Sequence, residues 1–397
     1  MIRKSFVVAG IFSLALLANP TMQSARAGSS VNLNAIARSV TQIAGVRENQ
    51  IVLLTSDPTN YQFLEDLAIQ VRAVGAFPLI QVSNDNLNQR MFNEVPAKYD
   101  SQTPLLSFAL IRMVDTQINV DYGGEQDYDF FTRVDQNRLA AQAKAAAPAS
   151  QLFMRLNRRY VDVGNGIFPS KPNAKLFRVR QSTLMATFWS AMHSDYSKVQ
   201  STAAAMRAAI ASGRTMRVTH PNGTDISFGV RGVQFIVSAG SIPANCRGAA
   251  CSAFLPAGDI VFVPVQGTAT GRMVFDNTFW GKDLLRHYTA TFASGKLTGM
   301  SSSSDLTKLK AAYAAGGNGR DAFTYVDLGV NNFVKNIPHS LMLATFAGGS
   351  TTLGFGGDLG IGGSNASPFG FFATQPGCTV TVDGKAIITD GKTVAGT

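Results

Sequence analysis

The hydrophobic periodicity of this 397-residue chain changes once, near residue 213, and that change restricts the folds open to it. Before it, helical and strand patterns alternate. Leu33, Ile36, Ala37, Val40 and Ile43 recur at helical spacing, and Ile51-Val52-Leu53-Leu54 reads as a short buried strand. Pro58 opens a helix with Phe63, Leu64, Leu67, Ala68 and Val71 on one side, and Gly75 ends it. Leu79 to Val82, Leu105 to Val114 and Ile118 to Val120 read as further strands. Asn137 to Ala147 reads as an Ala-rich helix stopped by Pro148, and Gln181 to Ser212 as one long helix or as two with a break near Asp195. Met185, Phe188, Trp189 and Met192 form an apolar stripe there, which reads as core packing. This β-α-β-α rhythm implies a parallel sheet covered on both faces.

After residue 213 strands dominate. Met216 to His220 and Asp225 to Val230 alternate and are joined by Pro221-Asn222-Gly223-Thr224, a hairpin. Strands follow at Ile260 to Val265, Met273 to Phe275 and Tyr288 to Phe292. Ser303 to Ala314 reads as a helix capped by Ser303 or Ser304. Thr379 to Val382 and Ala386 to Thr389 form a closing hairpin turned by Asp383-Gly384. The expected fold class is α/β: an N-terminal parallel-sheet α/β domain, residues 28–213, followed by a strand-rich α+β domain, residues 214–397.

Residues 1–27 read as an export signal. Arg3 and Lys4 are followed by a short apolar run, Phe6 to Ala18, and Ala25-Arg26-Ala27 is a cleavage pattern. The run is too short to span a bilayer as a helix, so the expected location is periplasmic or extracellular. Arg3, Lys4 and Arg26 carry three of the ten net positive charges, leaving +7 on the mature chain. Arg155, Arg158 and Arg159 are its densest basic patch. They lack an interleaved aromatic ladder, so the patch reads as a solvated face and not a nucleic-acid site. Cys246 and Cys251 enclose four residues, and in an oxidising compartment they are expected to form a disulfide; Cys378 reads as a buried thiol. Glycines cluster at 316–319 and 348–363 without phosphate-loop or dinucleotide spacing, which suits tight turns around a cleft.

The strongest pattern lies in the last third. Leu255-Pro256-Ala257-Gly258-Asp259-Ile260-Val261-Phe262-Val263-Pro264 runs into Gly271-Arg272-Met273-Val274-Phe275-Asp276. Gly348-Gly349-Ser350-Thr351-Thr352-Leu353-Gly354-Phe355-Gly356 and Gly362-Gly363-Ser364-Asn365-Ala366-Ser367 follow. In that order, with the Met216 to Phe228 hairpin before them, these segments resemble the thermophilic metallo-aminopeptidase (aminopeptidase T) family. The resemblance implies that family's fold, a homodimer and a centre of two metal ions, which would polarise a carbonyl and activate a bound water. It places the first ligand glutamate at Asp259 and the second at about Tyr325. It places a histidine at about Thr352, a tyrosine near Leu359 and a closing His-x-Asp pair at about Gly370 and Phe372. A sister group that opens a dihydroxypyridine ring with one iron also needs histidines and an aspartate near the carboxyl end. No histidine follows His339.

Three readings of the site stay open. In one, Asp259, Asp327 and Asp358, with His339, gather a single divalent metal ion; Asp259 and Asp327 clamp it and Tyr325 steadies oxyanion charge. In a second, the chain is a metal-free enzyme using hydroxyls such as Tyr325, Ser350, Thr351, Thr352, Ser364 and Ser367. Its base would be His220, His287 or His339, and Arg272, Arg286, Lys282 or Lys335 would hold a substrate anion. In the third, the cleft only binds a ligand or partner, with Phe369, Phe371 and Phe372 filling the metal's place. The expectation taken forward is an exported aminopeptidase-like hydrolase with a remodelled cleft, acting on peptides or a small amide or anionic substrate. Its site is Tyr325 and Thr352 as catalytic groups, Arg272 and His339 on substrate, and the three aspartates on metal. The alternative is a non-catalytic ligand-binding protein.

Overall fold

The structure, a computed structural model, describes residues 31–124, 130, 134–281, 283–337 and 339–395. The expected export signal and Lys282 lie outside the described residues. Among the described residues no helix is long and apolar enough to cross a membrane.

The chain divides into two compact units. One runs to Val163 and takes in Ile242–Ser252; the other holds Gly164–Ser241 and Ala253–Thr397. The first unit is a parallel α/β layer. Its elements are α1 (Leu33–Ala44), β1 (Ile51–Ser56), α2 (Tyr61–Ala73), β2 (Phe77–Val82), α3 (Asp85–Glu94), α4 (Leu105–Met113), β3 (Thr116–Val120), α5 (Gln136–Arg155) and β4 (Arg159–Val163). The strands lie in the order β2-β1-β3-β4, all parallel. Asn32 starts α1 by accepting from the Ala35 N–H, and Gly45 ends it in the left-handed region at φ 62°.

Two sequence expectations fail here. Leu105 to Val114 is a helix and not a strand. Ser107, Leu110, Ile111 and Val114 are its buried positions, at helical spacing, and Ile111 packs with Ala149, Leu152 and Phe153 of α5. Pro148 does not stop α5, which continues to Arg155. A mid-helix proline costs about 3 kcal/mol, and burial of the Ala149, Leu152 and Phe153 side chains just after it offsets that.

The second unit opens with α6 (Lys171–Phe177), α7 (Gln181–Met192) and α8 (Tyr196–Ala211). Asp195 caps α8 by accepting from the Ser197 and Lys198 N–H groups, so the long helical stretch is two helices. Phe188 and Met192 of the apolar stripe are buried; Met185 is exposed. The unit begins at Gly164, not near residue 213. Val199, Ala203, Met206 and Ile210 of α8 belong to the same apolar core as the strands that follow, so these helices fold with the second half.

Those strands are β5 (Thr215–Thr219), β6 (Asp225–Gly229), β7 (Phe235–Ser238), β8 (Ser252–Leu255), β9 (Asp259–Phe262), β10 (Thr270–Trp280), β11 (Asp283–Ala293) and β12 (Lys296–Ser301). After α9 (Thr307–Ala315) come β13 (Phe323–Gly329), β14 (Thr351–Gly356), β15 (Gly370–Gln375), β16 (Thr379–Val382), β17 (Lys385–Thr389) and β18 (Lys392–Thr393). Ser303 and Ser304 do not cap α9. Their hydroxyls bond the Arg286 carbonyl and N–H instead, and Asp305 accepts from Thr307 N–H.

Eight strands make one antiparallel sheet, β12-β11-β10-β6-β5-β16-β17-β18, and five make another, β15-β14-β13-β9-β7. The fold class is thus mixed α/β, with a parallel-sheet N-terminal part and antiparallel strand-rich sheets. Aromatic rings join the two antiparallel sheets. Phe228 and Phe292 of the larger meet Phe323 at 5.1 and 5.3 Å, and Tyr288 meets Phe371 at 4.6 Å. Ring pairs at such spacing add about 0.5–1.5 kcal/mol each beyond area burial.

Two substitutions test this interface. Phe371→Ala leaves a cavity beside Tyr288 and should cost about 3–5 kcal/mol in denaturant unfolding. Tyr288→Phe removes a buried hydroxyl that has no hydrogen-bond partner among the described residues, and should leave stability equal or higher. A large loss in Tyr288→Phe would contradict the packing described.

Candidate functional site

In the sheet β15-β14-β13-β9-β7 the central strands β9, β13 and β14 are buried on both faces almost throughout. On β13, Val326 and Leu328 enter the apolar core, so Tyr325 and Asp327 point to the opposite face. A bulge between Phe323 and Tyr325 lets Phe323 face the core despite sharing Tyr325's parity. On β9 Ile260 and Phe262 are core, which turns Asp259 and Val261 to the far face. On β14 Leu353 and Phe355 are core, and Thr352 and Gly354 look away. On β15 Phe371 and Ala373 are core, and Phe372 and Thr374 look away.

Register then assembles three rows on that far face. Asp259 lies opposite Gly329. Asp327 lies opposite Thr352, which lies opposite Thr374. Tyr325 lies opposite Gly354, which lies opposite Phe372. Asp259 and Asp327 are diagonal neighbours, at a Cα spacing of about 7–8 Å by sheet geometry. Both are nearly inaccessible, at 4% and 2% exposure. The Tyr325 hydroxyl donates to Asp327 Oδ2 at 3.4 Å, and the Thr352 and Thr374 hydroxyls share a hydrogen bond of 2.9 Å. Burial first, then the charges of Asp327 and Asp259, push the Tyr325 phenol well above its ordinary range. It is therefore a proton donor at neutral pH.

The Tyr325 ring stacks on Phe372, with centroids 5.0 Å apart and planes 18° apart. Gly354 permits this. A Cβ there would come within 2.7 Å of Phe372 Cβ. Two positions at which the resemblance predicts metal-binding carboxylates, 325 and 372, are thus filled by an aromatic stack. Of the positions it assigns to ligands, only Asp259 carries a strong donor.

Asp358 stands elsewhere. Phe323, four residues before Asp327, pairs with Phe355, and Asp358 lies three residues further on, past the end of β14. At about 3.3 Å per residue that is well over 10 Å from Asp327. Asp358 Oδ1 accepts from the Asn365 N–H at 2.6 Å, so its role is to clamp its own glycine-rich loop. Burial raises its carboxyl pKa. Of the apolar side chains in this stretch, Leu353 and Phe355 are buried, whereas Leu359 is 60% exposed.

The structure does not bring Arg272 or His339 to the aspartates. Arg272 neighbours core residue Met273 on β10 and so points away from the core on the other sheet, where its Nε donates to the Gly223 carbonyl at 2.8 Å. His339 is exposed in the segment after β13, at φ 58°. Among the described residues no three His, Cys, Asp or Glu side chains are grouped to hold a metal. His220 is occupied by the Asn222 N–H and Gln375, and no described histidine hydrogen-bonds a serine or threonine. Cys378 is buried and its thiol is pushed up to about 12 by that burial, which keeps it from acting as a thiolate nucleophile.

Two further features were not anticipated from sequence. An open hollow of about 250 Å³ lies beyond the ends of β9 and β14. Arg231, Gln234, Val233, Val263, Val265 and Ile361 line it. Val263 directly follows Phe262, the partner of Val326, which puts the hollow at the Tyr325 end of the sheet. In the parallel unit, Asp57, Asp121 and Asp162 sit at the carboxyl ends of β1, β3 and β4. Burial and the neighbouring Asp162 raise the Asp121 carboxyl well above its usual range. Asp57 is committed to the Thr59 and Gly124 N–H groups.

The phenol gives a pH test. Asp327→Asn removes a neighbouring negative charge and should lower the Tyr325 pKa, read by absorbance titration at 295 nm against a Tyr325→Phe control. Because the folded pKa is raised, stability is intact below about pH 10 and falls as pH rises above it, since only the unfolded phenol ionises there. Tyr325→Phe should make that fall shallower. An unchanged titration in Asp327→Asn would show that the two groups do not interact.

No protein-family model and no curated protein matches the sequence. Among solved structures the chain is similar to 2,5-dihydroxypyridine dioxygenase from Pseudomonas putida KT2440, with TM-score 0.59 and 12% identity over 91% of this chain and 97% of that one. It is also similar to wild-type AmpT, aminopeptidase T, from Thermus thermophilus, with TM-score 0.69 and 16% identity over 91% of this chain and 99% of that one. At these identities the likeness establishes the fold alone: the chain has an aminopeptidase-like architecture.

Proposed function

We propose that the protein is an exported ligand-binding protein built on an aminopeptidase-like scaffold, with the face that carries Asp259, Tyr325 and Asp327 rebuilt so that it no longer forms a two-metal centre. The observation that carries this reading is the Tyr325–Phe372 stack across Gly354. A stacked phenol and phenyl ring supply one neutral oxygen where two carboxylates would be needed. The residues present therefore do not fit the metal pair. The ligand class follows from the hollow at the Tyr325 end: an arginine and a glutamine beside valine and isoleucine side chains suit a small molecule or peptide end with an apolar body and an anionic group. Export is supported by the pattern of residues 1–27 and by the Cys246–Cys251 disulfide.

One observation favours the second reading, a remodelled hydrolase: two carboxylates and a protonated phenol still share one buried face. Asp259 and Asp327 would then hold a single cation, and the phenol would donate to developing oxyanion charge.

Metal analysis of mature protein purified without chelator separates the two. The binding reading expects substoichiometric divalent metal, a melting temperature unmoved by EDTA, and no hydrolysis of aminoacyl anilides with added zinc or cobalt. Stoichiometric metal that is lost in Asp259→Ala or Asp327→Ala would overturn it in favour of the hydrolase.

A further inference from the structure

The amino ends of the parallel strands carry charge opposite to that of their carboxyl ends. Arg47 lies in the turn before β1, Arg158 and Arg159 at the start of β4, and Arg247 in the loop closed by the Cys246–Cys251 disulfide. The four border one hollow of about 200 Å³, with Gln50 and Asp115. The expectation that Arg158 and Arg159 are merely solvated fails. Arg158 donates to the carbonyls of Ile111 and Arg112, each at 3.0 Å, and to Asp115 Oδ1 at 3.3 Å. Arg159 donates to the carbonyls of Ala44 at 3.0 Å and Pro243 at 3.1 Å. These bonds hold the two guanidinium groups in place; Arg158 is paired with Asp115, whereas the carbonyls on Arg159 leave its charge uncompensated.

Only Asp115 opposes the four cations, and its oxygens are already engaged by Arg158 and by the Ile51 N–H at 2.9 Å. The Arg47 side chain makes no hydrogen bond or ion pair among the described residues. Arg247 bonds only the Cys246 carbonyl, at 3.1 Å. The loop that carries Arg247 is fixed twice, by the disulfide and by the Gly248 N–H donating to Asn157 Oδ1 at 2.9 Å. Burial, and then the charge of Arg47, lower the Arg159 pKa. A rigid hollow with polar walls and unspent guanidinium donors suits a compact, multiply charged anion.

We infer that this hollow binds a tetrahedral oxyanion, phosphate or sulfate, free or as a monoester of a small molecule. Arg47 and Arg247 supply the adjustable donors, and Arg158 and Arg159 supply fixed positive charge. The site is independent of the face that carries Asp327.

Isothermal titration of the disulfide-intact mature protein tests it, with inorganic phosphate, sulfate, glycerol phosphate, acetate and chloride compared at one ionic strength. Saturable binding is expected for the phosphate or sulfate ligands and not for chloride or acetate. Arg47→Gln and Arg247→Gln should each weaken it about tenfold, the loss of one charge-assisted contact. Neither replacement removes a bond that holds the fold together, and circular dichroism checks this. Tighter binding of glycerol phosphate than of inorganic phosphate would identify an ester as the ligand, and the reverse order a free ion. Heats equal to those of chloride, or binding unchanged in the Arg47→Gln/Arg247→Gln double variant, would overturn the assignment.

Discussion

The strand-rich unit depends on a sheet whose central strands are largely closed to water on both faces. In β13, β14, β15 and β9 every second side chain enters the aromatic core shared with the larger sheet, and the others face a second, polar interior. A half-buried sheet would leave that second face to water. Here it must satisfy itself, because a buried hydroxyl or carboxylate without a partner costs about as much as a core side chain contributes. The Thr352–Thr374 bond, the Tyr325 hydroxyl on Asp327 and the clustered Asn331, Ser194 and Ala257 carbonyl contacts meet that requirement. Such a face is costly to build by hydrophobic burial alone.

The far face of this sheet has a definite geometry. Gly354 is the only residue type that lets Tyr325 and Phe372 meet across the middle strand, because any Cβ would strike Phe372. The stack exchanges donors for rings, and it also lowers the dielectric around Asp259 and Asp327, which raises the cost of ionising Tyr325. An acid-rich face that keeps its phenol protonated can hold a cationic or hydrogen-bonding group. It does not provide the several anionic and imidazole donors that two adjacent dications require.

How much of this was legible depended on the range of the interactions. Local alternation with turn chemistry is enough for the Met216 to Phe228 and Thr379 to Thr389 hairpins. The Leu105 to Val114 run was misread because nearly all of it is apolar, so that period 2 and period 3.6 fit equally well until the packing on Phe153 is seen. Pro148 misled for a similar reason: its local cost is real, but tertiary burial outweighs it. Asp358 drew attention as a carboxylate near glycines, and its partner is a backbone N–H seven residues on. Arg47, Arg158 and Arg247 are separated by about a hundred residues each, and no sequence window contains them together.

The parallel unit carries opposite charge at the two ends of its strands. In the parallel unit, carboxylates gather at one end of the strands and guanidinium groups at the other, as Asp121 with Asp162 and Arg47 with Arg159. The Asp162 carboxylate accepts from the Asn119 amide and the Tyr160 hydroxyl, and Arg159 donates to the Ala44 and Pro243 carbonyls, neutral groups that fix geometry without cancelling charge. A chain selected for stability alone would pair such charges with each other, since like charges kept close and partly desolvated destabilise the fold. At the arginine end the disulfide loop and the backbone carbonyls brace this arrangement, which leaves the Arg47 guanidinium without an ion pair among the described residues and so open to an oxyanion.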